Sequence, residues 1–366
     1  MAERGAAPKV SPARRRTLRA VRSLFTPLVP DDYLDLINPL WSTRELRGRI
    51  ESIRREAADA VTVTIRPGQE WAGHEPGQYL RIGVIAGGVH HWRAYSITSD
   101  PGRPDGFISI TPKLLDSGVV SRHLVRRARP GDIVRLGGVE GTFRLPEPLP
   151  ARSLFISAGS GVTPIMAMLR SLERRDALGD TVHLHSARTE RDVIFGEQLR
   201  LLAARQPGYA LHVRRTGEQG RLTPALLGEL CPDWHEREAF VCGPAAMLDA
   251  MSEQWHAAGD SDRLHMERFQ PVIGAPGGAS GEGGSVRFVR SAVQAASDGS
   301  QPILVAGEEA GARLPFGCRM GVCHTCIGRL CSGRVRDLRT GEVSGADGEM
   351  VRTCVNAPEG AVVIDL

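Results

Sequence analysis

Gly317-Cys-Arg-Met-Gly-Val-Cys-His-Thr-Cys326 is the stretch that decides the C-terminal fold, and a further cysteine follows it at position 354. The spacing is C-x4-C-x2-C, then 27 residues, then the fourth cysteine. This is the plant-type spacing of a [2Fe-2S] cluster, in which four thiolates hold two iron ions. A structural zinc site is the alternative, but such sites more often have paired C-x2-C knuckles. The sequence therefore predicts a cluster whose metal ligands are Cys318, Cys323, Cys326 and Cys354.

The glycines of this stretch fit the same prediction. Gly317 and Gly321 suit a tight loop, because backbone N–H groups must crowd around the sulfur atoms in dihedral angles that glycine adopts at low cost. The chain has seven cysteines, an odd number bunched toward its C-terminal end, and neither an export signal nor 18 consecutive uncharged apolar residues. We therefore expect a soluble cytoplasmic protein and not a disulfide scaffold. Cys231 and Cys331 are expected to be ordinary small apolar residues.

Positive charge is concentrated in the N-terminal region. Residues 1–30 carry seven basic side chains against Glu3 alone, a net charge of +6, which leaves −2 for the rest of a chain of net charge +4. Apolar residues at helical spacing after Thr17 predict a short basic helix, and a second one is predicted around Asp31 to Ile37. A basic segment on a nearly neutral body suggests contact with an anionic surface, nucleic acid or membrane, or else a solvated arm.

Two kinds of sequence pattern, called here the first and the second texture, follow along the chain. From Leu46 to about Pro150, short alternating runs such as Val61 to Ile65 are bounded by Gly and Pro, which predicts an antiparallel barrel or sandwich. After Pro150 strands alternate with helices, which predicts a doubly wound parallel α/β sheet.

Two motifs in the first texture have the residue types that a flavin needs. Arg93-Ala-Tyr-Ser-Ile-Thr-Ser99 ends a predicted barrel strand and combines a cation for phosphate, an aromatic plane and small hydroxyl groups. Taken alone, it is also compatible with an ordinary half-buried strand. Gly118-Val-Val-Ser-Arg-His-Leu124 is typical of a loop entering a helix, where free N–H groups and the Ser121 hydroxyl can hold a pyrophosphate. A simple N-cap is the alternative there.

Two motifs in the second texture indicate a dinucleotide site. Gly159-Ser-Gly-Val-Thr-Pro164 follows an apolar strand and precedes a helix. A glycine turn, a proline in the first helical turn and an open helix N-terminus favour phosphate binding, although the motif is not G-x-G-x-x-G. Cys242-Gly-Pro244 ends the last predicted parallel strand, at the carboxyl edge where α/β sheets bind ligands.

These motifs, in this order, resemble the ferredoxin-NADP reductase superfamily in its fused FAD, NAD(P), [2Fe-2S] form. The resemblance covers about residues 42 to 366. It implies an NAD(P)H-dependent oxidoreductase with an antiparallel β-barrel flavin domain, a doubly wound α/β nicotinamide domain and a C-terminal α+β ferredoxin domain of β-grasp fold. The expected boundaries are a basic, partly helical extension over 1–41, the FAD domain over 42–150, the NAD(P) domain over 151–270, a flexible linker over 271–284 and the ferredoxin domain over 285–366.

The resemblance also assigns roles to residues. Arg93 is expected to meet the flavin phosphate, Tyr95 to pack on the isoalloxazine and Ser96 to bond near flavin N5. The remaining cofactor-binding residues are expected to be Gly118 and Ser121 for the pyrophosphate, Gly159, Gly161, Thr163 and Pro164 for the nicotinamide dinucleotide, and Cys242, Gly243 and Pro244 beside the nicotinamide ring. Ser96 and Cys242 are the expected catalytic residues, and Cys242 would help place nicotinamide C4 over N5 without acting as a nucleophile.

Arginines after the predicted strands suggest NADPH as the coenzyme. Arg188 follows the second strand, Arg214 and Arg215 follow the next, and Arg221 comes six residues later, an arrangement similar to NADP-dependent bacterial flavodoxin reductases. Guanidinium groups bind a 2'-phosphate bidentately. Because 44 of the 46 basic residues are arginine, composition alone is an alternative, and NADH stays open. FAD is the expected flavin, with FMN as the alternative.

An electron path follows from these cofactors. NADPH gives two electrons together and a [2Fe-2S] cluster accepts one at a time, so a flavin between them is expected to convert one to the other. Residues 285–366 hold nine Arg and nine Asp or Glu. A neutral ferredoxin domain fits tethered delivery through a linker better than electrostatic steering.

The terminal acceptor is expected to be an oxygenase or desaturase protein and not nucleic acid. Phe25 to Pro30 and Asp32 to Trp41 resemble actinobacterial reductases that serve membrane-bound acyl-CoA desaturases, which makes a membrane fatty acyl desaturase the first expectation. Residues 1–25 would then touch the inner face of the membrane peripherally. The alternatives are the reductase component of a soluble Rieske-type or haem monooxygenase, and a non-catalytic metal-binding interaction protein.

Overall fold

The computed structural model describes residues 37–86, 89–115, 118–269, 281–316, 321 and 324–366. They form two compact units, one of residues up to His90 with Tyr95–Glu267, and the other of Arg268–Leu366 with His91–Ala94. Within these ranges no helix has both the length and the apolar character needed to cross a bilayer. The helices predicted between Thr17 and Ile37 lie outside them, apart from Ile37 itself.

The first unit opens with an antiparallel sheet of six strands. They are β1 (Arg47–Ala57), β2 (Ala60–Pro67), β3 (Tyr79–Ala86), β4 (Val89–Ser96), β5 (Ile108–Ile110) and β6 (Ile133–Glu140), in the order β4-β3-β6-β1-β2-β5. Ile97, just after β4, bridges Ile110 of β5, so the two edge strands meet and the sheet closes. Helix α1 (Val119–Arg126) adds Val120 and Leu124 to the core inside this barrel.

A five-stranded parallel sheet makes up the rest of the first unit. Its strands are β7 (Ser153–Ala158), β8 (Thr181–Ala187), β9 (Tyr209–Arg215), β10 (Glu238–Cys242) and β11 (Leu264–Glu267), in the order β11-β10-β7-β8-β9. Its helices are α2 (Val162–Arg174), α3 (Gly196–Arg205), α4 (Thr216–Gln219), α5 (Pro224–Leu230) and α6 (Ala245–Ala258). The chain runs outward from β7 to β9 and then returns to the other side of β7. This reversal creates a topological switch point between the carboxyl ends of β7 and β10, where open α/β sheets bind ligands.

The two faces of the parallel sheet differ in chemistry. One face is apolar, with Leu154, Ile156 and Val241 packed in a core with Met251 and Trp255 of α6. The other face carries a buried polar chain. The Oγ of Ser157 lies 2.8 Å from His183 Nε2 and 2.8 Å from His185 Nδ1, and His183 Nδ1 lies 2.7 Å from the Tyr209 hydroxyl.

This polar chain joins β7, β8 and β9 while staying uncharged. Burial lowers the pKa of His185 to about 4 and holds the pKa of His183 well below its usual range, so both rings are neutral at pH 7. Because Ser157 is two residues before Gly159, the neutral contacts fix the strand end from which the predicted dinucleotide loop departs.

The second unit is built on a mixed six-stranded sheet. Its strands are β12 (Gly284–Phe288), β13 (Gln294–Ser297), β14 (Ile327–Asp337), β15 (Val343–Ser344), β16 (Met350–Arg352) and β17 (Asn356–Asp365), in the order β13-β12-β17-β14-β15 with β16 beside β14. β12 and β17 pair in parallel. Helix α7 (Ile303–Glu309) covers the sheet with Ile303, Leu304 and Ala306 in the core. This α+β arrangement agrees with the predicted fold class.

The structure corrects the sequence interpretation in two details. Arg214 and Arg215 do not follow the third parallel strand but are its last two residues, because β9 stays paired with β8 up to Ala187 and Arg215. The sequence runs also did not single out β1, in which six of eleven residues are charged. In the stretch assigned to the linker, residues 271–280 lie outside the described ranges, whereas Gly283 already bridges Glu359 and β12 begins at Gly284. The domain boundaries stay predictions.

Acid should weaken the native state through the two buried histidines. A folded-state pKa of about 4 against about 6.5 in the unfolded chain means that the stabilisation is complete above pH 6.5 and is lost as the pH falls toward 4. At pH 5.5 the loss is about 1.4 kcal/mol for His185. We expect His185→Asn, whose amide can keep the Ser157 contact, to show a smaller drop in Tm between pH 7.5 and 5.5 than the unaltered protein. The exposed His235→Asn is the control, and an unchanged pH dependence in His185→Asn contradicts the assignment.

Candidate functional site

The second unit buries two of the four predicted cluster ligands beside a glycine backbone. Cys326 and Cys354 are 1% and 3% exposed. The N–H of Gly321 donates to Cys354 Sγ at 3.2 Å, and the Arg352 guanidinium donates to the Gly321 carbonyl at 3.0 Å. A sulfur that accepts a backbone N–H fits a thiolate ligand, because such hydrogen bonds stabilise negative charge on cluster sulfurs.

Gly321 is required where it lies. Its φ is +74°, and a Cβ there would lie 2.9 Å from both Val355 Cγ2 and Arg339 Nη1. A side chain at this position would therefore strain the backbone and push apart the contact that delivers the N–H to Cys354. Cys318, Cys323 and Gly317 lie outside the described residues. The four-cysteine ligand set is a prediction to which two buried thiols and one glycine conform.

The flavin motif lies at the end of β4, as the sequence predicts. Tyr95 packs against the barrel core, Ser96 is the last residue of the strand and is buried, and Arg93 is half-buried. The residues that follow are firmly held: the Thr98 N–H donates to the Ser109 carbonyl at 2.7 Å, and the Thr98 and Ser109 hydroxyls are 2.7 Å apart.

The second flavin motif is a helix start, as predicted. Gly118 is the N-cap of α1 and has no side chain to occupy the first-turn N–H groups. The Ser121 hydroxyl is buried, accepts the Leu115 N–H at 3.2 Å and donates to the Gly118 carbonyl at 3.4 Å. This serine therefore shapes the loop, and the open helix N-terminus is what fits a pyrophosphate.

The dinucleotide loop and the Cys-Gly-Pro segment meet backbone to backbone at the switch point. A Cβ on Gly161 would lie 2.1 Å from the Cys242 carbonyl oxygen, and a Cβ on Gly243 would lie 3.2 Å from Ala158 Cβ. Gly159 has a φ of +54°, which turns the chain from β7 into a 3-10 turn over Gly159–Gly161. Only glycine permits this approach, which brings two strand ends together as the candidate nucleotide site.

The N-terminus of α2 faces this site without a side-chain cap. Gly161 is its N-cap residue, and Thr163 turns its hydroxyl back to donate to the Ser160 carbonyl at 2.8 Å. Pro164 stands in the first turn, as predicted. The first-turn N–H groups and the helix dipole therefore fit a phosphate.

Glu267 is a residue of this site that the sequence interpretation missed. It ends β11 in register with Cys242, the last residue of β10. Burial raises the pKa of Glu267 to about 7, and burial together with this carboxylate raises the pKa of the Cys242 thiol well above its usual range. Cys242 is therefore a neutral thiol beside a carboxyl group that titrates near neutrality. A signal existed in the sequence, since Glu267 closes a short strand, Leu264 to Glu267, after the last predicted helix.

The arginines at the carboxyl ends of β8 and β9 divide into two groups. Arg214 is structural, because its guanidinium donates to the Gly220 carbonyl at 2.8 Å and to the Gln219 carbonyl. Arg188 is exposed next to the same turn, and its carbonyl accepts the Gly217 N–H at 3.0 Å. Arg215 pairs with Glu218 at 3.1 Å, and Arg221 is exposed. The structure thus gathers Arg188 and Arg215 at one edge.

A closed barrel with a flavin motif, joined to a parallel sheet with a dinucleotide loop at its switch point, defines a class of oxidoreductase. Family models agree: the oxidoreductase FAD-binding domain matches residues 51–145, the oxidoreductase NAD-binding domain 155–253 and the 2Fe-2S iron-sulfur cluster binding domain 289–359. The chain belongs to the ferredoxin-NADP reductase superfamily, in its fused form with FAD-, NAD- and 2Fe-2S-binding domains. It is therefore an enzyme, which excludes the non-catalytic alternative, and its flavin is FAD.

Individual proteins give the same picture. The chain is 49% identical over 346 residues to an NADPH oxidoreductase of Mycobacterium tuberculosis, covering 94% of this chain and 90% of that one. It is 32% identical to the ferredoxin reductase component of the 3-ketosteroid-9-alpha-monooxygenase of Mycolicibacterium smegmatis, covering 78% and 86%. The phthalate dioxygenase reductase structure shares the fold with a TM-score of 0.57 at 21% identity, covering 87% of this chain and 97% of that one.

The raised pKa of Glu267 predicts that the preference for a cationic over a neutral nicotinamide ring depends on pH. Above pH 7 the ionised carboxylate should favour the cationic ring of NADP+ over a neutral ring, by about tenfold between pH 6 and 8. The measurement is the ratio of dissociation constants for NADP+ and the non-reacting neutral analogue tetrahydro-NADP. We expect Glu267→Gln to flatten this ratio with pH. Glu238→Gln, at the opposite end of β10, is the control, and a flat ratio in the unaltered protein contradicts the prediction.

Proposed function

We propose that this protein is an NADPH-dependent reductase that passes electrons through FAD and a [2Fe-2S] cluster to an oxygen-activating iron protein. The observation that carries the proposal is the meeting of Gly161 with the Cys242 carbonyl at the switch point, in a chain that also has a flavin barrel and a ferredoxin-type domain. A chain that has all three can carry electrons from a nicotinamide through a flavin and a cluster to a separate acceptor.

Each part of the chain has a proposed task. When bound, the cofactors would supply the redox chemistry: the nicotinamide would be a two-electron hydride donor, the flavin a converter from two-electron to one-electron transfer, and the cluster a one-electron carrier. Ser96 supplies a hydroxyl at the flavin edge, and Cys242 a neutral thiol beside the nicotinamide. Gly159, Gly161 and the start of α2 hold the phosphates.

NADPH is the proposed coenzyme because positive charge gathers where a 2'-phosphate would extend. Arg188 is exposed at the end of β8, and the turn that carries Arg215 packs on its backbone. Arg214 is committed to that turn, which leaves Arg188, Arg215 and Arg221 as candidate phosphate ligands. The relative from M. tuberculosis is itself named for NADPH.

Removing one of these cations should reduce NADPH use alone. For Arg188→Gln we expect kcat/KM with NADPH to fall by about 10- to 100-fold, the loss of one charge-assisted phosphate contact, while kcat/KM with NADH changes less than about threefold. Arg205→Gln, an exposed arginine at the end of α3, is the matched control. Parallel losses with both coenzymes, or no loss with either, would contradict the assignment.

An oxygenase is the acceptor that the relatives favour. The M. smegmatis protein is named as the reductase component of a monooxygenase, and the shared fold includes a dioxygenase reductase. A membrane fatty acyl desaturase is a second candidate, favoured by the +6 charge of residues 1–30 and the sequence from Phe25 to Trp41. Of that segment, Pro39–Trp41 forms a 3-10 turn with Leu40 buried.

A panel of acceptors separates these candidates. The holoprotein with NADPH is combined with ferricyanide, cytochrome c, a soluble Rieske oxygenase, a haem monooxygenase and a desaturase in vesicles containing anionic lipid. We expect coupled turnover with an oxygenase. Cys326→Ser should keep ferricyanide reduction, which the flavin can support, and lose every cluster-dependent acceptor.

Deletion of residues 1–25 adds the membrane arm of the test. Turnover with the vesicle-bound desaturase that falls on deletion, while cytochrome c reduction is unchanged, would establish the second candidate and the peripheral membrane contact. Turnover with none of the oxygen-activating partners would refute the proposed acceptor class.

A further inference from the structure

Helix α2 links the two halves of the first unit. It begins at the predicted dinucleotide loop and runs for 13 residues, about 20 Å, to Arg174. Two arginines near its end, Arg170 and Arg174, reach across to the barrel. They contact the segment Thr98–Asp100, which overlaps the end of the flavin motif Arg93–Ser99. One rigid helix therefore has a nicotinamide motif at one end and a flavin motif at the other.

Arg170 has two hydrogen-bond acceptors and one aromatic ring around its guanidinium group. Its Nη1 donates to the Thr98 carbonyl at 2.5 Å, its Nη2 donates to Gln198 Oε1 at 2.5 Å, and the guanidinium lies 5.3 Å from the centre of the buried Phe195 ring. Burial lowers the pKa of Arg170 to about 10, so the group is still charged at neutral pH while largely removed from water. A guanidinium group in this setting depends on its acceptors, because losing the Thr98 or the Gln198 oxygen would leave a largely buried N–H without a hydrogen bond.

Arg174 adds a second attachment one turn later. Its guanidinium forms a two-pronged ion pair with Asp100, through Nε to Oδ2 and through Nη2 to Oδ1 at 3.3 Å. Asp100 is 8% exposed. Gly102 lets the arginine approach, since a Cβ there would lie 2.5 Å from the Arg174 Cζ atom.

The segment that the two arginines contact is also hydrogen-bonded within the barrel. Thr98 and Ser99 are buried, and Ser99 Oγ accepts the Ser109 N–H at 3.1 Å. The His74 ring lies 3.1 Å from the Ser99 carbonyl. The contacts of the two arginines with Thr98 and Asp100 therefore constrain the position of Ser96, which lies two residues before Thr98.

We propose that Arg170 and Arg174 are positioning residues for hydride transfer, which hold the nicotinamide loop at a fixed distance from the flavin strand. The inference rests on the proposed transfer from NADPH to the flavin and is independent of the acceptor. Neither arginine lies in a cofactor motif, so neither is expected to contact coenzyme or flavin. Their effect is on the distance between the two reacting atoms, which a hydride transfer requires to be about 3 to 3.5 Å.

The size of the expected effect follows from this geometry. A misplacement of about 1 Å costs on the order of 100-fold in rate. A weakened attachment at the far end of α2 should therefore reduce the rate of the transfer without reducing coenzyme affinity, because the loop that binds the phosphates is untouched.

The test uses the holoprotein with Arg170→Met and Arg174→Gln. The readouts are the limiting rate of flavin reduction at saturating NADPH, the dissociation constant of NADP+ and the NADP+-induced difference spectrum of the flavin. We expect the limiting rate to fall by 10- to 100-fold, the dissociation constant to stay within about threefold of the unaltered value and the difference spectrum to weaken. The double variant Arg174→Gln/Asp100→Asn should be no slower than Arg174→Gln, since both remove one contact.

Arg175→Gln is the matched control. Arg175 follows α2 directly and pairs with Glu147 at 2.7 Å, but this pair is exposed and distant in sequence from the flavin motif. The proposal is overturned if the limiting rate stays within about twofold in both variants, if Arg175→Gln loses as much, or if the rate falls only in proportion to affinity. If Arg170→Met loses its flavin, Arg174→Gln alone decides. Failure of the unaltered protein to reduce its flavin with NADPH refutes the proposed function instead.

Discussion

The backbone contact between Gly161 and the Cys242 carbonyl is the constraint on which the nucleotide site depends. A Cβ at position 161 would lie 2.1 Å from that oxygen. The contact places the loop after β7 directly against the end of β10. With it, an uncapped helix N-terminus, a neutral thiol and the Glu267 carboxyl lie at the same edge of the parallel sheet.

Rigidity around this contact comes from polar groups as much as from apolar packing. Ser157, His183, His185 and Tyr209 connect three strands directly beneath the loop, and burial keeps the histidines uncharged. Helix α2 then connects the loop to Thr98–Asp100 through two arginines, the largely buried Arg170 and the more exposed Arg174, which pairs with the buried Asp100. The buried chain and the two arginines thus add directional contacts to the apolar packing, because hydrogen bonds depend on angle as well as distance.

In the ferredoxin-type unit, too, a glycine is required for the conformation of its backbone. Gly321 adopts a left-handed φ and donates its N–H to Cys354 Sγ. A residue with no side chain thus supplies a hydrogen bond to a predicted cluster ligand. The sequence made this prediction possible, because C-x4-C-x2-C with interspersed glycines is a local pattern. Local patterns also predicted β7 and α2, and they placed the flavin motif at the end of a barrel strand.

The sequence by itself determined which chemistry the protein carries: the cysteine spacing, the flavin motif and the glycine-proline loop are encoded within stretches of about ten residues. Only the tertiary structure decided what these stretches meet. Strand register places Glu267 beside Cys242. Arg214 is hydrogen-bonded to a turn, whereas Arg188 stays exposed. Arg170 donates a hydrogen bond to Thr98, 72 residues away in the chain. Such contacts depend on the order of strands in a sheet and on the direction of a helix, and periodicity in a single sequence does not contain either.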